Sequence, residues 1–428
     1  MSTSKNLTIK NIQLYLNVMK ITRFHSIIFS LIITFLLVFT FTASTHAQGG
    51  PNTLPQMALN HIPVCPPGPK NEDVRCHSHV IVDGKGKPLA TTSPTGYSPA
   101  QFQGAYGLVG SSSSGRILAI VDAFDQTNIK SDLDNYNSIY GLPSFPACSG
   151  DIKNSSIPCF QKVDQNGGAN YPAFDSGWGL EISPDVEVAH AVCPDCKLLL
   201  VEANDNSYTN LMAAVDRAVT MGANVVSNSY GSGEFSSETS FDSHFNHQGV
   251  AITFSSGDSG YGSSYPAASG FVTSVGGTTL NLGSGNTYGS ESAWKGSGSG
   301  CSKYETKPSW QTDTGCFNRT IADVSADADP ATGASVYDSN YNGQSGWFQV
   351  GGTSLSSPLI AGVYALKGVP TGANANSLPY SNSPTTNLHD VKTGSNGFCK
   401  RSVKYLCTAV TGYDGPTGLG TPNGTGAF

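Results

Sequence analysis

From Arg116 onward, short apolar runs alternate with stretches whose apolar residues recur at helical spacing. The runs predict strands at Ile117–Val121, Leu198–Val201, Asn224–Ser227, Val250–Phe254 and Phe271–Val275, with a helix over Asn210–Val219 among the intervening segments. Near-continuous apolar strands are buried on both faces, so the pattern dictates an α/β fold with a mostly parallel central sheet and helices on both faces. The chain has 428 residues, 38% of them hydrophobic, enough for a sizeable core. In such sheets sites gather outside the carboxyl ends of the strands, and Asp122 and Asp258 both fall just past predicted ends. Residues 280–350 read as loop-rich, and there is no internal repeat.

Charge narrows the possible partners. Only 12% of residues are charged and the formal net charge is -7, so there is no basic footprint for nucleic acid or an anionic membrane. Near the N-terminus, Lys20 and Arg23 precede an apolar run from Ile27 to Phe41 and then Thr45-His46-Ala47, the pattern of an export signal. Residues 1–47 are therefore expected to be a signal peptide, with Met19 the expected start of a signal of ordinary length. Secretion, extracellular or periplasmic, follows from it. Residues 48–110 are rich in Pro, Gly and Ser and read as a leader, and residues 111–428 as the main domain. Ten cysteines fall into five sequence-local couples, 65/76, 148/159, 193/196, 301/316 and 399/407, which predicts five short-loop disulfides in an oxidising compartment. A monomer is expected.

Three motifs carry chemistry. Gly351-Gly-Thr-Ser-Leu-Ser-Ser-Pro358 precedes an apolar helix from Leu359 to Leu366, which places Ser354 at a helix N-terminus where free amides favour a developing oxyanion. Pro358 is expected in the first turn, where its missing amide is harmless. Taken singly, the serine reads as an ordinary N-cap. Glu181-Ile-Ser-Pro-Asp185 sets two carboxyls on one helix face, close enough to share a proton, although carboxylates also favour first turns for purely structural reasons. Ser255-Ser-Gly-Asp-Ser-Gly260 follows a strand; a protonated Asp258 there would donate to an oxyanion, while an Asx turn is the plain alternative.

Together the three resemble the sedolisin family of serine-carboxyl peptidases, a branch of the subtilisin-like fold, over about residues 95–428. The resemblance implies Ser354 as nucleophile, Glu181 as general base, Asp185 as its orienting partner and Asp258 as oxyanion stabiliser. It also implies a polypeptide substrate, acid pH and a Ca²⁺ site, with side chains of Asp390 and Asp414 and carbonyls of Val391, Val410 and Gly412 as hard oxygen ligands. Three departures stand out. Residues 48–110 are short beside the large propeptide usual in that family, Asp122 stands where a glutamate is frequent, and Tyr230 stands where tryptophan is frequent.

Two other readings compete. A subtilisin-type Ser-His-Asp enzyme would use Asp122, Ser354 and a histidine, but no His-Gly-Thr motif occurs, and His190 lies farther along the helix of Glu181, facing another way. The other is a secreted binding protein that kept the fold and lost the activity.

Overall fold

The computed structural model describes residues 60–66, 73–113, 115–382 and 384–428; the expected export signal lies outside them. Strands β1 (His61–Pro63), β2 (Arg75–Cys76) and β3 (His79–Ile81) and helix α1 (Pro99–Ala105) precede the first central strand, β4 (Ile117–Ala123). Next come α2 (Ile129–Tyr140), β5 (Phe160–Asp164), α3 (Ser176–Val192), β6 (Lys197–Ala203) and α4 (Tyr208–Thr220). The chain continues through β7 (Val225–Asn228), β8 (Tyr230–Gly233), β9 (Ala251–Ser255), β10 (Ser264–Tyr265), β11 (Thr273–Leu282) and β12 (Tyr288–Ala293). The stretch expected to be loop-rich instead carries five further strands, β13 (Gly300–Thr306), β14 (Asn318–Ile321), β15 (Val324–Asp327), β16 (Ala334–Tyr341) and β17 (Gln344–Gly351), and α5 (Thr353–Lys367) follows directly.

The central sheet has the order β12-β11-β9-β7-β4-β6-β5, with β15 paired to β11. All its pairings are parallel except β11 with β12. Every residue of β4, β7 and β9 is buried, as strands between two covering layers must be. Helices α3 and α5 pack together, α5 against β7, β9, β11 and β15, while α4 packs on β4 and β6. Ile120, Val121, Leu199, Leu200, Val225 and Val226 are 0% exposed, and each such side chain contributes about 1.5–3 kcal/mol of burial. No helix among the described residues is long and apolar enough to cross a membrane.

Two smaller sheets flank the carboxyl ends of the central strands. One has the order β1-β3-β17-β16 and the other β10-β8-β2. Residues expected to form a leader thus contribute two strands, β1 and β3, to the first sheet and one, β2, to the second. All five expected disulfides form, and no free cysteine remains among the described residues.

Helix α5 starts earlier than its apolar run announces. Thr353 is its first residue and Pro358 lies inside it, beyond the first turn where the sequence had placed it. The proline ring removes an amide that would otherwise bind the Ser354 carbonyl. The Ser229 hydroxyl oxygen lies 3.4 Å from that carbonyl. The helix is capped by Gly352 at φ 99°, a conformation that favours glycine, and a Cβ at this position would sit 2.0 Å from the His77 carbonyl oxygen.

Candidate active site

Ser354 occupies the second position of α5, at the helix end where amides lack intrahelical acceptors. Glu181 and Asp185 lie on α3, which packs along α5. The Asp175 carboxylate caps α3 by accepting from the Trp178 amide at 2.9 Å, and fixes where the helix begins. Asp258 follows β9, and Asp122 lies near the end of β4. Elements distant in sequence therefore deliver all four expected residues, and Asp122, to one place.

Glu181, Asp185 and Asp122 are each 0% exposed. Burial pushes the Glu181 carboxyl well above the usual range, and the neighbouring Asp185 charge pushes the same way, while the Ser354 and Ser78 hydroxyls favour its ionised form. Asp185 is raised by burial and then by Asp122, against the Ser229 hydroxyl, which donates to its Oδ1 at 2.9 Å. Burial raises Asp122 too, followed by Glu181 and Glu202. Neither Glu181 oxygen makes a well-formed hydrogen bond. The Ser354 hydroxyl donates at 3.2 Å to the Ser229 carbonyl, so here it is turned from the carboxyl beside it.

The Asp258 side chain is buried and its pKa is pushed up to about 7, chiefly by desolvation, against the Thr353 amide and hydroxyl. Both of those donate to Oδ1 at 2.8 Å. Its Oδ2 makes no well-formed hydrogen bond. His79 Nε2 lies 3.6 Å from that oxygen, but burial lowers the His79 pKa to about 3.

Histidine placement bears on the subtilisin-type alternative. His190 is buried with its ring 4.2 Å from that of Phe145, burial lowers its pKa to about 4, and neither nitrogen has a partner. It is a packing residue. His77 does approach Ser354, but through its backbone; its ring Nδ1 pairs with Ser255 Oγ at 2.7 Å.

Tyr230 donates its hydroxyl to Asn228 Oδ1 at 2.9 Å and makes no well-formed hydrogen bond to Asp122 or Asp185. Asp122 is instead in register with Glu202 on β6. Lys162 Nζ lies 3.3 Å from Glu202 Oε1 and also contacts Asp125, so a cation ends the row of carboxyls. Ser229, Thr353, Glu202 and Lys162 were missed as site residues. Thr353 stands within the Gly-Gly-Thr-Ser motif and Ser229 beside Tyr230, whereas nothing local marks Lys162.

A cleft of about 720 Å³ opens beside Asp258, between Gly231–Glu234, Gly257–Ser264 and Cys301–Lys303. The expected Ca²⁺ residues lie elsewhere. The Gly412 amide donates to both Asp390 oxygens, at 3.1 and 3.2 Å, and the Val410 amide to Asp414 Oδ2 at 3.0 Å. Burial raises Asp414 to about 7, with the Asp390 charge adding. The carboxyls of Asp390 and Asp414 are near enough to interact, and both accept from backbone amides.

The parallel sheet, a serine at a helix N-terminus beside its edge and the buried carboxyls opposite define a subtilisin-like α/β protein. Residues 168–374 match the subtilase family. Sedolisin of Pseudomonas sp. (strain 101) is 30% identical over 380 residues, covering 78% of this chain and 61% of the relative. Kumamolisin of Bacillus sp. (strain MN-32) is 29% identical over 376 residues, covering 78% and 63%. Among solved structures, Pseudomonas sedolisin, a serine-carboxyl proteinase complexed with two molecules of pseudo-iodotyrostatin, superposes with a TM-score of 0.64 at 29% identity, covering 77% of this chain and 96% of that one. On these matches the chain is similar to the sedolisin family. It spans about three fifths of the length of these two curated relatives.

Proposed function

We infer that the protein is a secreted serine-type endopeptidase that hydrolyses polypeptides in acid through Ser354, Glu181 and Asp185. The observation that carries this is the buried Glu181 carboxyl beside the Ser354 hydroxyl, with no imidazole among the described residues serving it. The serine attacks the scissile carbonyl as Glu181 takes its proton, and Glu181 then returns a proton to the leaving amine. Asp185, steadied by Ser229, holds Glu181 in place. The Ser354 amide and protonated Asp258 bind the oxyanion, and water releases the acyl group.

Acid operation follows from the charges. Asp258 donates only while protonated, below about pH 7, and the crowded carboxyls keep a shared proton more readily as pH falls. Residues 1–47 would direct export, 48–110 serve as leader and 111–428 form the peptidase domain. Asp390 and Asp414, with carbonyls of Val391, Val410 and Gly412, would hold Ca²⁺, which would tie the C-terminal loops together.

The test is cleavage of a denatured protein by the recombinant chain and by Ser354→Ala, each at acid and neutral pH. Cleavage in acid only, absent in the variant, is the expected result. A flat profile from mild acid to neutrality contradicts the mechanism, and no cleavage at either pH would favour the inactive binding protein.

A further inference from the structure

Two phenylalanines stand wholly in solvent among the described residues, Phe317 at 101% and Phe398 at 100% exposure. Neither belongs to a hydrophobic cluster, so neither ring serves the core. Scattered apolar side chains are ordinary on a surface, but bare aromatic rings gathered at a cleft mark a place of contact. Both hang from the wall of the cleft beside Asp258. Phe317 follows Cys316, whose disulfide partner Cys301 lines that cleft. Phe398 follows Gly397, where a Cβ would lie 3.0 Å from the Cβ of Tyr261, another lining residue. The Tyr261 amide donates to the Asn396 carbonyl at 2.9 Å and fixes that approach.

The loops that carry the two rings are joined to each other. Tyr405, inside the loop closed by Cys399–Cys407, accepts from the Gly315 amide at 2.9 Å and donates to Asp313 Oδ2 at 2.6 Å. Ser299 Oγ donates to the Leu406 carbonyl at 2.6 Å. With a disulfide beside each phenylalanine, the backbone under the rings has little freedom left to lose on binding. Tyr261 and Tyr304 add half-exposed rings to the same wall. Lys400, Arg401 and Lys404 on one loop and Lys303 at the cleft are exposed, and none has an ion pair among the described residues. These unpaired cations stand on a chain whose formal net charge is -7. Rings among cations complement an extended chain that carries apolar and acidic side chains. Because the rim continues the cleft wall, the molecule that reaches it is the one that occupies the cleft.

We propose that this rim is an accessory binding site for the substrate polypeptide, where a segment away from the bond being cut lays apolar side chains on Phe317 and Phe398 and carboxylates against Lys400, Arg401 and Lys404. The proposal rests on the peptidase reading and deepens it: the favoured substrates are long, unfolded, acidic chains, which present the apolar side chains that folded ones bury. The rim touches no reacting atom. It supplies binding that substrate and transition state share, so it lowers KM for a long chain and leaves kcat unchanged. Salt screens the contribution of the cations and spares that of the rings.

The test compares wild type with the double variant Phe317→Ser, Phe398→Ser and the triple variant Lys400→Gln, Arg401→Gln, Lys404→Gln, each confirmed to melt as wild type does. At about pH 5, where substrate carboxylates are ionised, kcat and KM are measured on a short fluorogenic peptide that fills only the cleft and on a denatured acidic protein. Peptide kinetics should stay within about twofold of wild type in both variants, and kcat on the protein should not move. KM for the protein should rise about tenfold in the phenylalanine variant at every salt concentration, and about threefold in the cation variant at low salt only. An unchanged protein KM in both variants overturns the proposal and leaves the peptidase reading standing. An equal rise of KM for peptide and protein does the same, since the rings would then act in the cleft itself. Unchanged protein KM with lost retention on a sulfated polysaccharide column would give the rim another ligand, and also overturns it. Cleavage of neither substrate by wild type overturns the peptidase reading and the proposal with it.

Discussion

Around Asp323 and around Ser354 the protein buries carboxyl groups in two different ways. Arg319 and Asp323 are both 0% exposed, and the guanidinium donates to both carboxylate oxygens, Nη1 to Oδ1 at 2.6 Å. Tyr380 and the Ser274 amide also donate to Asp323, at 2.7 and 2.8 Å. There the charge is paired in place. Around Ser354, burial and mutual repulsion raise Glu181, Asp185 and Asp122, and oxygens of all three lack well-formed partners. A paired carboxylate fixes structure, whereas an unpaired one is kept neutral by a proton it can give or take.

The sharpest break in that contrast is expected at Asp323. Asp323→Ala leaves Arg319 buried without its partner and should lower unfolding stability by about 3–5 kcal/mol in denaturant melts. A loss no larger than that of Asp185→Asn would erase the distinction between the two regions. At the site, Asp258→Ala should lower kcat about 10²–10³-fold, the usual effect of removing one oxyanion donor. Asp258→Asn, whose amide donates without titrating, should lose less and lift the alkaline limb of the profile above pH 7. Equal losses in both variants would argue that Asp258 is no oxyanion donor.

Stability should also follow the unpaired groups. The folded pKa of Asp258 is about 7, against about 4 in an unfolded chain. Glu291 and Asp414 are likewise raised to about 7. Below about pH 4 both states are protonated and the stabilisation is full. As pH climbs, the unfolded chain ionises first, so stability falls through the folded values, by about 1.4 kcal/mol per pH unit per group. Metal-free protein should therefore melt highest in acid, and a Tm that rises toward neutrality would contradict it. The smallest effect concerns Asp390 and Asp414. Ca²⁺ at about 100 times its Kd should add about 2.7 kcal/mol, removable with chelator and absent in Asp414→Asn.

What the sequence revealed is what local pattern encodes. Five central strands, β4, β6, β7, β9 and β11, were legible from short apolar runs, whereas β5, β12 and β15 lack such a run and were not; the disulfides were legible because every couple is close in sequence. The start of α5 was not, since Gly352 and Pro358 mask a helix whose first turn is polar. The roles of Ser229, Thr353 and Asp258 as one hydrogen-bonded group depend on contacts across the fold. Least legible was the segment from Arg75 to His79. Its residues read as a Pro- and Gly-rich leader, and only pairing with strands more than a hundred residues away brings its backbone to Ser354. His190 shows the reverse case: a histidine on the right helix whose ring packs on Phe145.

The decisive measurement is kcat/KM in acid on one peptide for Glu181→Gln and His190→Ala, each after confirmation that the protein is folded. If a carboxyl accepts the Ser354 proton, Glu181→Gln should fall about 10³–10⁴-fold while His190→Ala stays within about twofold of wild type. A Glu181→Gln enzyme of near-normal activity, or collapse of activity in folded His190→Ala, would contradict it.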